Sequence, residues 1–155
     1  MKKESIRETR TRCADRLRES GLRVTRSRLA VYEALCRSES HPTAEELYRR
    51  LGRRTPGTSM ATVYNCLEAL TRSGLIGRLD AAPGAARYEA ETQRHHHMIC
   101  RHCGRVEDIF DPELDALSVE APGGFKVEDH AVHFFGLCAD CRTDLQSGSP
   151  TVEIH

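Results

Sequence analysis

Residues 59–74 read SMATVYNCLEALTRSG, and residues 75–90 continue as LIGRLDAAPGAARYEA. In the first stretch Val63, Leu67 and Leu70 recur at helical spacing, either Thr58 or Ser59 can cap the helix, and Ser73–Gly74 ends it. Ser59, Thr62, Tyr64 and Asn65 fall toward the other side of that helix, near its N-terminal end. The second stretch predicts two short strands, 75–80 and 86–90, around an Ala-Ala-Pro-Gly-Ala turn. Upstream, Thr25 is placed to cap a helix whose stripe is Leu29, Val31, Tyr32, Leu35 and Cys36. Thr43, with Glu46 three residues on, is the capping box of a short helix that carries Leu47, Tyr48 and Leu51 inward. Three helices followed directly by a hairpin predict a winged helix. A charged helix over 5–20, with Ile6, Cys13, Ala14 and Leu17 on one face, precedes them.

Beyond Glu91 the pattern turns strand-like. Runs at 95–102, 105–110 and 125–137 alternate with Gly- or Pro-containing turns, one short helix fits 112–119, and Ala-Pro-Gly-Gly at 121–124 ends it. The expected class is α+β: a winged-helix DNA-binding domain over 1–84, a small C-terminal α/β domain over 85–146, mostly β, and a flexible tail over 147–155. Charge divides the same way. Net charge is zero, yet residues 1–80 hold 17 basic against 10 acidic side chains, and residues 81–155 hold 6 against 13. A basic half suits phosphates and an acidic half suits cations. Arg26 and Arg28 open the second helix where phosphates would lie. No apolar run approaches the roughly 20 residues of a membrane span, and the first residues lack a signal peptide's apolar stretch. The expected compartment is the cytoplasm, with no membrane partner.

In a reducing compartment seven cysteines point to metal or redox chemistry rather than a disulfide framework. Cys100-Arg-His-Cys103 and Cys138-Ala-Asp-Cys141 are CxxC pairs 34 residues apart. Four thiolates in tetrahedral array satisfy structural Zn(II), and Gly104 fits the knuckle after the first pair. A thiol–disulfide enzyme would want one CxxC opening a helix in a βαβ unit, which the pattern lacks. Cys66, inside the fourth helix, reads as a small packing residue, with a reactive thiol beside DNA as the alternative.

His95-His96-His97 stands just before the first pair. In a strand His95 and His97 share one face and His96 takes the other. Glu89 and Asp108 are nearby in sequence, and His41 lies on the loop before the third helix. A mixed imidazole and carboxylate set suits Fe(II), Mn(II) or Zn(II).

Taken together, LRVTRSRLAVYEAL, SHPTAEELY, SMATVYNCLEALTRSGLI, ARYEAETQRHHHMICRHCGRVEDI and FFGLCADC resemble the ferric uptake regulator family over residues 10–142. The resemblance implies a homodimeric repressor, its C-terminal domain the dimerisation domain, that binds a palindromic operator when its regulatory metal is present. It implies that the fourth helix enters the major groove with Tyr64 touching bases. It implies a regulatory Fe(II) or Mn(II) site at His41, Glu89, His95, His97 and Asp108 beside the zinc site. A second regulatory site would use His96, Glu113 or Asp115, and His130. The spacing from Glu89 to Cys100, with HxH directly before Met-Ile-Cys, resembles the peroxide-sensing branch more than the iron-uptake branch, although the former usually has aspartate where Glu89 stands. The implied chemistry is Fe(II)-catalysed oxidation of His41 or His95, with release of DNA. The alternatives are an iron- or zinc-responsive uptake repressor and, more remotely, a metalloenzyme or a zinc-ribbon interaction module. An enzyme would need a substrate pocket and a poised acid or nucleophile, whereas every candidate here serves as a metal ligand.

Overall fold

Helix α1 (Ile6–Glu19) buries Thr9, Cys13, Ala14 and Leu17 and leaves Ile6 outside. The computed structural model describes residues 6–52, 55–80, 84–91 and 93–147. It divides into two compact units, residues 1–80 with 85–93 and residues 81–84 with 94–155.

In the first unit, α2 (Arg26–Cys36) starts where the Thr25 side chain accepts from the Arg28 amide, and it buries Leu29, Val31, Tyr32 and Leu35. Helix α3 (Ala44–Leu51) has the full capping box: Thr43 accepts from the Glu46 amide while Glu46 accepts from the Thr43 amide. Leu47 and Leu51 face inward, but Tyr48 stays about one-third exposed (37%), because only one stripe of so short a helix reaches the core. Helix α4 (Met60–Arg72) is capped by Ser59 and packs Val63, Cys66, Leu67 and Leu70 against α2 and α3. Each fully buried leucine contributes about 1.5–3 kcal/mol.

Strands β1 (Gly77–Leu79) and β2 (Arg87–Glu89) pair antiparallel as the wing. They are shorter than the runs 75–80 and 86–90, since Leu75 and Ile76 join the helical core instead. Because β2 pairs with β1, residues 85–93 belong to the first unit, and the boundary expected at residue 84 moves to 93.

The second unit is a three-stranded sheet ordered β4-β3-β5. Strand β3 (His96–Cys100) is antiparallel to β4 (Val106–Ile109) and parallel to β5 (His133–Gly136). The run 125–137 yields only this four-residue strand, and the helix expected over 112–119 is one turn, α5 (Pro112–Asp115), capped by Asp111. A helix that the sequence reading did not anticipate, α6 (Ala139–Ser147), follows β5. Its last residue, Ser147, is the first residue of the expected flexible tail. The rest of the expected tail, 148–155, lies outside the described residues, as do Arg53, Arg54 and the first three residues of the wing turn. No described helix is long and apolar enough to cross a membrane.

Candidate metal centres and nucleic-acid interface

Cys100 closes β3, and the chain turns through Arg101–Cys103 before Gly104, whose φ of 70° is the left-handed conformation that glycine adopts without steric cost. The Gly104 amide donates to the Cys100 carbonyl at 3.0 Å, tightening the knuckle. Cys138 sits just before α6, its carbonyl accepting from the Arg142 amide, and Cys141 lies in the first turn. The four sulfurs lie within 4.8 Å of one another, with Cys103 and Cys138 3.7 Å apart. A tetrahedron of Zn–S bonds has sulfur–sulfur edges of about 3.8 Å, so the donor set fits zinc. Burial raises the Cys100 thiol, but the Cys103, Cys138 and His102 amides outweigh it and bring it down to about 6. Cys141 is pushed up by burial and by the three neighbouring sulfurs. Crowded thiols resist joint ionisation, and a divalent cation removes that cost.

In the first unit, His41 Nε2 lies 2.7 Å from Glu89 Oε2, and both side chains are largely buried. Three backbone ties hold this corner. Arg87 donates to the His41 carbonyl at 2.8 Å, the Tyr88 amide donates to the Pro42 carbonyl at 3.0 Å, and Thr43 bridges to Arg87. Arg87 also lies 3.8 Å from Glu46 of the capping box, so the cap and the wing fix the loop bearing His41. Gly77 stands opposite Glu89 in the hairpin. A Cβ at Gly77 would come within 2.5 Å of Glu89 Oε1, so glycine is what makes room for the carboxylate. Sequence reading missed both Gly77 and Arg87: one offers no chemistry of its own, and the other looks like any surface cation.

In the second unit, His95 and His97 do share a face, their ring centroids 4.6 Å apart. Asp108 pairs with His97 across the β3–β4 ladder, and its Oδ1 lies 3.6 Å from His95 Nε2 and 3.8 Å from His97 Nε2. His133, opposite His97 on β5, brings another imidazole to 5.5 Å between centroids. The pairing that places it there is parallel and joins segments far apart in sequence, so no local pattern announces it.

His96, fully buried, takes the opposite face. Its Nδ1 accepts from the Val132 amide, its Nε2 lies 3.3 Å from Asp115 Oδ1, and its ring stacks on His130 at 5.8 Å. His130 Nε2 donates to the Leu114 carbonyl, and Arg94 donates to His130 Nδ1 while pairing with Asp115. Thus His96, Asp115 and His130 are gathered with a guanidinium among them, while Glu113 is exposed on the first turn of α5.

Along α4, Tyr64 and Asn65 are exposed, and the Tyr64 hydroxyl donates to Glu45 Oε1 at 2.7 Å. That bond pulls the Glu45 carboxyl below its ordinary range. The Ser59 and Thr62 hydroxyls are 2.8 Å apart and engaged in capping. Arg26 is exposed, whereas Arg28 is half-buried and donates to the Arg23 carbonyl, so the two guanidinium groups differ in their surroundings. Cys66 is buried in the core and burial raises its thiol, in keeping with packing.

A winged helix and a small sheet unit with a four-sulfur centre define the class: a metal-binding regulator with a DNA-binding domain. The model of the ferric uptake regulator family matches residues 19–135, and the chain belongs to that family. The peroxide operon regulator of Bacillus subtilis is 39% identical over 127 residues, covering 81% of this chain and 88% of its own. The peroxide-responsive repressor of Staphylococcus saprophyticus is 36% identical over 128 residues, covering 81% and 86%. A solved Helicobacter pylori ferric uptake regulator, described as having three functional metal binding sites, superposes with a TM-score of 0.70 at 27% identity, covering 92% of this chain and 97% of that one. The chain is accordingly a transcription regulator rather than an enzyme, and regulators of this family bind operator DNA and act as dimers.

Proposed function

We propose that this chain is a cytoplasmic, homodimeric repressor that holds a palindromic operator while Fe(II) or Mn(II) is bound, and lets go when peroxide oxidises the Fe(II) form. The observation that carries this reading is the division of donors. The winged-helix unit offers a fixed His41–Glu89 pair, and the sheet unit offers His95, His97 and Asp108. Two or three such donors fall short of a full coordination sphere. A single ion shared by both sets would favour one domain arrangement over others, and differential affinity of that kind is what allostery requires. Cys100, Cys103, Cys138 and Cys141 would hold the structural Zn(II).

Bound Fe(II) supplies the electrons that reduce a hydroperoxide. The protein's part is to hold the imidazoles of His41 and His95, each more than nine-tenths buried, as oxygen acceptors. The Arg87 clamp fixes the loop bearing His41, so an oxygenated His41 ring could not readily swing aside to preserve the linked arrangement. Tyr64 and Asn65 on α4 would meet base edges and Arg26 the phosphates, with Arg28, Ser59 and Thr62 at the margin.

A second reading, an iron- or zinc-responsive uptake repressor, is favoured by Glu89 and by the gathering of His96, Asp115 and His130, which with Glu113 would form a further regulatory site. The test of metal dependence is selection of duplexes from a random pool with Mn(II)-loaded protein, followed by binding with a chelator of the weaker metal. Enrichment of a two-fold symmetric site that is lost on chelation is expected. Enrichment that is indifferent to the chelator, or none at all, overturns the reading.

A further inference from the structure

Three cysteines lie outside the zinc centre in the first unit, and two of them face each other. Cys13 on α1 and Cys36 at the end of α2 have their sulfurs 3.5 Å apart, and among the described residues they belong to no cluster of three or more metal-ligating groups. Cys13 is fully buried and Cys36 half-buried, so the pair has one protected and one approachable sulfur. Tyr32, also fully buried, lies one turn before Cys36 and favours its thiolate from the same corner. Arg16 lies over the Tyr32 ring at 5.9 Å, adding positive charge to the same corner.

We propose that Cys13 and Cys36 form a second, metal-independent oxidant-responsive site: a hydroperoxide converts the pair to a disulfide that bolts α1 to α2 and weakens operator binding. The two sulfurs are electronically unequal. The Cys13 thiol donates to Cys36 and lowers it below an ordinary thiol, burial opposes this, and Arg12, Tyr32 and Arg16 add to the lowering. The same bond, burial and the Cys36 charge push Cys13 up. Cys36 is therefore the attacking sulfur and Cys13 the resolving one.

The Cys36 thiolate attacks a peroxide oxygen, forming an S–O bond as the O–O bond breaks, and the departing hydroxide is protonated to water. The new sulfenic oxygen is an acceptor for the Tyr32 hydroxyl, and oxidation removes the Cys36 charge that held Cys13 protonated. Cys13 then attacks the Cys36 sulfur. An S–S bond forms, the S–O bond breaks and a second water leaves, so two thiols and one hydrogen peroxide give one disulfide and two waters. Closing the sulfurs from 3.5 Å to the roughly 2.05 Å of a disulfide shifts α1 against α2. Helix α2 also packs on α4, which transmits the shift to the helix carrying Tyr64.

The effect on DNA rests on the repressor reading, whereas the cross-link does not. Zinc-replete, Mn(II)-loaded protein is treated with graded hydrogen peroxide and digested with trypsin without reduction. The expected product joins residues 13–16 to 29–37, about two mass units lighter than the sum of the two peptides. It reverts with dithiothreitol, forms with zinc content unchanged, and is absent in Cys36→Ser and Cys13→Ser. Operator affinity falls with cross-linking in the parent protein and is restored by dithiothreitol, while Cys36→Ser keeps its affinity through the same treatment. Failure to find the joined peptide, or over-oxidation of Cys36 with Cys13 untouched, overturns the site. A cross-link that leaves operator affinity unchanged overturns its regulatory role.

Discussion

Seventeen buried apolar side chains, counting two cysteines, join the helices and wing of the first unit in one cluster, whereas those described as buried in the second are Ile99, Cys100, Val106 and Cys141. The second unit instead leaves Phe110, Phe125, Phe134, Phe135 and Leu137 substantially exposed. One unit is held by burial. The other has a thin core, half of it sulfur from the four-cysteine cluster, which makes it the unit expected to need coordination and partner contact. Positive charge is concentrated in the half of the chain that builds the helices, which suits phosphates, and negative charge in the half that holds the four-cysteine cluster.

The sharpest way to break this contrast is Cys100→Ser. Structural zinc contributes on the order of 10 kcal/mol in small metal domains, so the variant should lose zinc, monomerise and lose amide protection in residues 94–147 while α1–α4 stay protected. A zinc-free, folded dimer would contradict it. Leu67→Ala is the converse probe: it should cost about 2–5 kcal/mol in the unfolding of the first unit and leave zinc content untouched. A shared loss of zinc would mean that the units do not fold separately.

Gly77→Ala tests the wing's part in metal binding. Because the added Cβ would strike Glu89, Mn(II) affinity should fall about 10- to 100-fold, the scale seen for disturbed ligand orientation, with the helical circular dichroism unchanged. Unaltered affinity would remove Glu89 from the proposed ligand set. The smallest effects belong to the exposed face. Tyr64→Ala should cost about 1–3 kcal/mol of discrimination between operator and scrambled DNA, and Arg26→Ala should weaken both alike and reduce the salt slope by about one. Arg28→Ala should change the slope less, since that guanidinium already serves the Arg23 carbonyl.

Much of the first unit was legible because its signals are local. Thr25, Thr43 with Glu46, and Ser59 act as caps, and the apolar stripes of α2 and α4 go inward as their spacing requires. The alternation of His95, His96 and His97 was equally legible, being a property of any strand. Long-range pairing was not. The parallel β3–β5 ladder that brings His133 beside His97, and the β1–β2 pairing that moves the unit boundary past Glu89, depend on partners distant in sequence. Helix α6 escaped because Ala-Asp-Cys-Arg-Thr-Asp-Leu-Gln-Ser has hardly any apolar stripe and exposes Leu145, so periodicity had nothing to detect. Exposed Tyr48 shows the reverse error, an aromatic at a stripe position that the core does not reach.

Peroxide sensing itself is tested most directly by one comparison: operator binding of Fe(II)-loaded and Mn(II)-loaded protein after brief exposure to low micromolar hydrogen peroxide, with the peptides holding His41 and His95 weighed from the same samples. A peroxide sensor releases DNA only in the Fe(II) form, with a gain of one oxygen, about 16 Da, on one of those peptides and with zinc retained. Release with both histidines unmodified, or continued binding that merely tracks free Fe(II), would contradict it.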